Sequence, residues 1–257
     1  SLAEQRAAFG EIFFKKRQRR GVNKYEASKL MKDRNYYGCM MVETGEADAM
    51  ISGLSRNYPD TIRPAIQIIG TEEGVSKIAG MYIMLTKKGP LFLADTTVNF
   101  NPTAEELADI TLLVAKEVKT LGIEPRIAML SYSNFGSSDT PEARTVRNAR
   151  AIVKQKNPSL IVDGEVQGIV AFNKEIMREN YPFSELVDKG AVNTLIFPNL
   201  SAGNIAYNLL QEVGEADAIG PILLGLKKPV HVLQLGSSTR SILNMVLIAV
   251  IDAQYKM

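Results

Sequence analysis

Scarcity marks this chain before any pattern does. Its 257 residues include one cysteine, one histidine and no tryptophan. The lone thiol, Cys39, excludes a disulfide within the chain, and its place beside Met40 and Met41 suits a buried structural group. A single histidine removes histidine-rich metal sites and histidine-dependent triads from the candidates. His231 alternates with Val230 and Val232, which predicts a hydrogen-bonded strand residue with no metal around it. No apolar run reaches the roughly 20 residues that span a bilayer, and the longest, 242–251, is broken by Asn244. The N-terminus carries no secretory pattern. A soluble cytoplasmic protein without a membrane partner is expected. Excess charge is missing too, with 30 Lys+Arg against 28 Asp+Glu and a net charge of +2. The one basic run, Lys15–Arg20, has no interleaved aromatics and no second basic patch, which fits a solvated helix face and not a nucleic-acid site.

What is present, 46% hydrophobic and 23% charged residues, suits one large or two medium globular domains. Helical spacing dominates 3–32 with a break at Gly21. Residues 36–42 and 48–52 read as short strands around a turn at 43–46. Asp60-Thr61 can cap a helix over 62–69, closed by Gly70. The β-rich runs 77–86 and 90–100, joined by Lys87-Lys88-Gly89, predict a hairpin. From the capping box Thr103–Glu106 onward, strands alternate with helices. Helices are expected over 103–120, 140–156, 202–213 and 239–254. Strands are expected over 127–133, 160–164, 192–197, 218–224 and 230–235. That alternation predicts an α/β fold with mainly parallel sheets, whose ligands sit beyond the carboxyl ends of the strands.

Three loops occupy such positions. Ser131–Asp139 offers hydroxyls and Gly136, a composition that suits either a phosphate or plain turn chemistry. Ser201–Asn204 suits an N-cap better than a site. Residues 230–242 run from a strand through Gly236 and Ser237-Ser238-Thr239 into the last helix, which is an anion cradle in composition without a carboxylate or strong nucleophile. Arg63, one turn into its helix, and Arg17, within the basic run, are candidate anion clamps. Asp95 and Asp163 end apolar strands, where each can serve a site or brace a loop.

Several blocks together carry a family resemblance: Asp60–Pro64, Ala94–Asn99 with Pro102–Leu107, Gly122–Ser131, Val162–Gln167 and Phe197–Asn204. In this order they resemble phosphate acetyltransferase, which interconverts acetyl-CoA plus phosphate with acetyl phosphate plus CoA. The resemblance implies two α/β/α domains of the isocitrate/isopropylmalate dehydrogenase-like kind, with the ligand cleft between them. It places the first domain at 1–73 and 221–257 and the second at 74–220. The family's first strand–helix units have no counterpart here, so a start late in a longer protein is expected.

The same resemblance answers why the last cradle lacks chemistry. It implies a serine–arginine pair at the positions of Gln234 and Leu235, and at Ser241 an aspartate that takes the CoA thiol proton. A serine hydroxyl is not basic at neutral pH, and leucine supplies no positive charge to developing negative charge. The family's His-Ser-Thr run reads Arg56-Asn57-Tyr58 here, while Arg17 and Arg63 match its two anion-binding arginines. With "RNYPDTIRP" and "KPVHVLQLGSS", the chain resembles the C-terminal domain of bacterial hybrid NADP-dependent malic enzymes. That resemblance implies an acetyl-CoA-binding regulatory and oligomerisation domain without catalytic residues or a bound metal. NADP and a divalent metal are expected only in the malic-enzyme part, and a homo-oligomer, at least a dimer, is expected. The ligand-binding residues implied are Arg17, Arg56, Asn57, Tyr58, Arg63, Ser131, Ser133, Asn134, Gln234, Leu235, Gly236, Ser237 and Ser238. An active phosphate acetyltransferase and a purely structural module are the alternatives.

Overall fold

Residues 1–55, 58–234 and 236–256 are described by a computed structural model of the chain. The backbone divides into two units, Ser1–Gly74 with Gly225–Met257, and Val75–Leu224.

The first unit opens with α1 (Leu2–Arg17), which Ser1 and Glu4 cap reciprocally, and a 3₁₀ turn ends at left-handed Gly21. Then come α2 (Lys24–Leu30), α3 (Arg34–Thr44), β1 (Met50–Ser52) and α4 (Tyr58–Ile68). Residues 36–42 are therefore helical and not a strand. The Asp33 side chain accepts from the backbone N–H groups of Asn35 and Tyr36, and Gly45 closes the helix in the left-handed region at φ 83°. The buried Tyr36, Cys39 and Met40 fall at i, i+3 and i+4, a helical face hidden within a run of β-prone residues. Helix α4 starts before Asp60-Thr61, which lie in its opening turns and do not cap it.

The second unit contains β2 (Ala79–Thr86) and β3 (Gly89–Ala94), the expected hairpin, with Thr86 opposite Gly89. Strand β3 ends at Ala94, short of residue 100, because Asp95 draws in the chain beyond it. Its carboxylate accepts from the backbone N–H groups of Thr97, Val98 and Asn99. The unit continues with α5 (Ala104–Thr120), β4 (Arg126–Leu130), α6 (Pro141–Lys156), β5 (Ile161–Val166), α7 (Gly168–Phe172), α8 (Lys174–Asn180), β6 (Thr194–Ile196), α9 (Leu200–Glu212) and β7 (Asp217–Leu224). Asn199 caps α9, so Ser201–Asn204 sit inside its first turns and form no loop. The sheet order is β5-β4-β6-β3-β2-β7, and β2 runs antiparallel to β3 and β7 while the other pairings are parallel. Helices cover both sides, as buried parallel strands require. Leu224 pairs with Ala79, which keeps the whole of β7 in this unit, and the first unit resumes at Gly225 and not at 221.

The chain then forms β8 (Val230–Val232) and α10 (Thr239–Lys256) of the first unit. Strands β1 and β8 pair in parallel, Met50 with Val230, Ile51 with His231 and Ser52 with Val232. No helix among the described residues is long and apolar enough to cross a membrane.

Just past this ladder the backbones close tightly, and Leu233 N donates to Ser52 O at 2.6 Å. Gly53 has φ 119°, and a Cβ there would lie 2.2 Å from Leu233 O. Gly53→Ala should therefore cost about 1–3 kcal/mol of stability, read as a lower urea midpoint with an unchanged m-value.

Candidate functional site

Parallel pairing sets the carboxyl ends of β1 and β8 side by side, so the segments following them open at the same edge. After β8, the Ser237 hydroxyl donates to Gln234 O at 2.8 Å and accepts from Gln234 N at 3.1 Å. Gly236 has φ 81°, a left-handed turn position. Ser238 caps α10, its hydroxyl accepting from Ser241 N at 3.1 Å and meeting the Ser241 hydroxyl at 2.9 Å. Gln234, Gly236 and Ser238 are exposed and Ser237 is half-buried. The first turn of α10 holds no acidic residue. Arg56, Asn57 and Leu235 lie outside the described residues, as does the Tyr58 side chain.

Arg17 and Arg63 both act electrostatically on one phenol, that of Tyr36. The buried Tyr36 donates its hydroxyl to Gln67 Oε1 at 2.8 Å and sets its ring edge-on to Phe13 at 5.6 Å. Burial pushes the Tyr36 pKa up, Arg63 and Arg17 pull it down, and Asp33 pushes it up, for a net rise. Both arginines are thus within electrostatic reach of the same hydroxyl. Arg63 is exposed, and Arg17 Nε is buried with no hydrogen-bond partner among the described residues. Neighbouring polar groups fasten the frame. Asn35 Nδ2 donates to Asp60 O at 3.3 Å and to Thr61 Oγ1 at 3.4 Å, Ser52 Oγ donates to Asn35 Oδ1 at 2.7 Å, and Arg34 donates to Ser55 Oγ at 2.8 Å. Neither Tyr36 nor Gln67 stands out in the sequence, where the Asp33 and Gly45 caps around residues 36–42 are the available signal.

His231 is structural, fully buried with Nε2 3.1 Å from Asp252 Oδ2, an oxygen that Lys256 Nζ approaches at 3.8 Å. Among the described residues no group of three His, Cys, Asp or Glu side chains could hold a metal. The Cys39 thiol is buried and pushed up to about 12, first by burial and then by Asp33, so it is an unreactive packing group.

The hydroxyl-rich loop 131–139 of the second unit already holds an anion of its own, Glu165. That residue sits at a register shift between β4 and β5, buried, facing the loop. Its Oε1 accepts from Gly136 N at 2.8 Å, from Ser133 Oγ at 3.0 Å and from Arg147 at 2.9 Å. Ser133 is buried, and its hydroxyl is not presented to solvent. Ser131 Oγ accepts from Ser133 N at 3.2 Å, and Asn134 Oδ1 accepts from Gln167 N at 2.8 Å. The donors expected to face a ligand are turned inward because an unpaired buried carboxylate would cost more than an unfilled surface cradle. The strand-end aspartates are braces as well. Asp163 accepts from Ser184 Oγ at 2.8 Å and Glu185 N at 3.1 Å and lies 3.1 Å from Arg150 Nε.

Comparison with known proteins agrees with this architecture. A family profile described as phosphate acetyl/butaryl transferase matches residues 1–250. This chain belongs to that family. It is 43% identical over 244 residues to the NADP-dependent malic enzyme of Escherichia coli, covering 94% of this chain and 32% of the relative. It is 40% identical over 240 residues to the phosphate acetyltransferase of Bacillus subtilis, covering 93% of this chain and 74% of that one. A phosphotransacetylase structure from Streptococcus pyogenes superposes with a TM-score of 0.90 at 39% identity, covering 99% of this chain and 76% of the other. The chain thus spans about a third of the length of the malic-enzyme relatives it matches. Within this family fold, the two arginines and the β8–α10 loop occupy the first unit, while the Glu165 loop belongs to the second.

Burial pushes the Glu165 pKa up, but the Arg147 guanidinium and the N–H and hydroxyl donors outweigh it and hold the carboxyl below its usual range. A depressed folded pKa stabilises the fold above the unfolded value near 4.3, and this contribution fades as pH falls through the folded pKa. Glu165→Gln should lower the urea midpoint at pH 7 and make the loss of stability between pH 7 and pH 3 shallower than in the wild type.

Proposed function

We propose that this chain binds acetyl-CoA, or a related acyl-CoA, and does not turn it over. In this view it serves as a regulatory and oligomerisation domain of an NADP-dependent, oxaloacetate-decarboxylating malic enzyme. The observation that carries the proposal is the first turn of α10, which has no acidic residue and in which Ser241 is engaged by Ser238. Acyl transfer from acetyl phosphate to CoA needs a group to take the thiol proton, and in the reverse direction to return it. A serine hydroxyl bonded to another serine does neither. Ligand binding asks less: cationic side chains for phosphate groups and the positive end of a helix, which Arg17, Arg63 and the N-terminus of α10 would supply. An effector must also be left intact, since regulation comes from differential affinity between two states of the protein. The 43% identity to a malic enzyme of which the chain covers 32% supports a domain role in a larger protein. NADP and a divalent metal would belong to the remainder of such a protein, and assembly would bring two or more copies together.

A second reading, an active phosphate acetyltransferase, is favoured by the 40% identity to the Bacillus subtilis enzyme and the 0.90 TM-score to a phosphotransacetylase. Titrating acetyl-CoA calorimetrically into the chain in phosphate buffer separates the two. The regulatory reading expects a saturating isotherm, no continuing heat and no acetyl phosphate; sustained heat with acetyl phosphate formation establishes the enzyme instead. Arg63→Ala should weaken acetyl-CoA binding by about 1.5–3 kcal/mol, the scale of a hydrogen bond to a charged group. Wild-type affinity in that variant would remove Arg63 from the site.

A further inference from the structure

Arg17 and Arg63 reside on different helices, yet each stands one turn from a residue that touches the same side chain. Phe13 and Arg17 are i and i+4 on α1, and Arg63 and Gln67 are i and i+4 on α4, so each pair shares a helix face. Tyr36, on α3, bridges the two faces: its ring packs on Phe13 and its hydroxyl donates to Gln67. On the α4 side, Asn35 holds the opening turns through Asp60 O and Thr61, and Tyr36 holds Gln67 farther along. Arg63 lies between these two clips. Helices α1 and α4 touch, both arginines act electrostatically on the Tyr36 phenol, and Arg17 keeps a buried Nε–H that no acceptor among the described residues meets. A frame that carries a cation on each of two touching helices and leaves one buried donor unmet suits an anion that is not part of the chain.

We propose that Tyr36 and Gln67 are a positioning pair that sets Arg17 and Arg63 as a single clamp for a phosphate-type anion. The ligand class rests on the acyl-CoA proposal above; the coupling of Tyr36 to the arginines does not. Tyr36 touches no ligand in this scheme and acts through the two helices. The phenol remains a donor at neutral pH because burial keeps it protonated.

The test is a double-mutant cycle read by calorimetry with three probes: acetyl-CoA, 3′-dephospho-CoA and inorganic phosphate. Tyr36→Phe keeps the ring on Phe13 and deletes only the hydroxyl. It should weaken binding about three- to tenfold, the effect of one neutral hydrogen bond. In the Arg63→Ala background the same change should cost less than twofold, because the group through which Tyr36 acts is gone. Gln67→Met should behave like Tyr36→Phe, and it carries the cycle if the tyrosine variant is poorly folded. Equal losses in both backgrounds, or wild-type binding by both variants, would reduce Tyr36 to a packing residue and overturn the proposal. A loss confined to acetyl-CoA against 3′-dephospho-CoA would assign the clamp to the 3′-phosphate. If inorganic phosphate binds and acetyl-CoA does not, the acyl-CoA proposal fails while the cycle run with phosphate still decides the role of Tyr36. No binding of any probe by the wild-type chain would sink both.

Discussion

The first unit depends on one short parallel ladder, Met50–Ser52 against Val230–Val232, which joins the two segments of the chain that make up that unit. A parallel pair cannot be closed by a tight turn and needs a long crossover. Here the crossover contains an entire unit with its own six-stranded sheet. Closing so long a loop would be slow and entropically costly in a flexible chain. The cost falls once the inserted residues have folded, because the strands that begin and end that unit are neighbours, paired from Ala79 with Leu224. Its two ends are thereby presented together, and the isolated bridge between Thr71 and Leu226 continues the closure in the first unit. Gly53 then lets the backbones approach beyond the ladder, which fixes where the segments after β1 and β8 begin.

Polar groups near the strand ends follow a second constraint: buried charge must be met from within the chain before any can be spared for a ligand. Glu165 takes up the donors of the 131–139 loop. Asp95 takes up those of the turn after β3, burial still pushing its pKa up despite the N–H groups arrayed against it. Asp252 lies against His231 and Lys256. Arg17 and Arg63 differ, since among the described residues neither has a carboxylate as an ion-pair partner. Contrast between neutralised and unneutralised charge marks the first unit's arginine corner more sharply than loop composition does.

Composition alone could not draw that contrast. Serine, asparagine and glycine suit a ligand cradle and a self-satisfied turn equally well, and only the position of Glu165, distant in sequence from Ser133, decides between them. The hairpin at Lys87-Lys88 and the strand–helix alternation after Thr103 were legible because turn chemistry and capping are local. The β-prone residues of segment 36–42 hide a helical face. Asp33 and Gly45, a cap and a left-handed stop twelve residues apart, were the stronger signal. Arg17 and Arg63 stand out by position and resemblance, but their common influence on Tyr36 does not, since it arises only from the packing of α1, α3 and α4.

A clamp assembled from three helices joins ligand occupancy to helix packing. If an anion draws the guanidinium groups of Arg17 and Arg63 together, the strain passes to Phe13 and Gln67, and from both to Tyr36 on α3. Asn35, the residue before Tyr36, also accepts from Ser52 at the end of β1, whose ladder reaches β8 and the loop before α10. The same α3 turn therefore touches the arginine frame and the strand pair. An enzyme would use such rigidity to orient a reacting bond, whereas a binding domain can use it to favour one packing of its own helices over another. The proposed binding role draws on the second use, in keeping with a helix whose first turn carries Ser241 and no acidic residue.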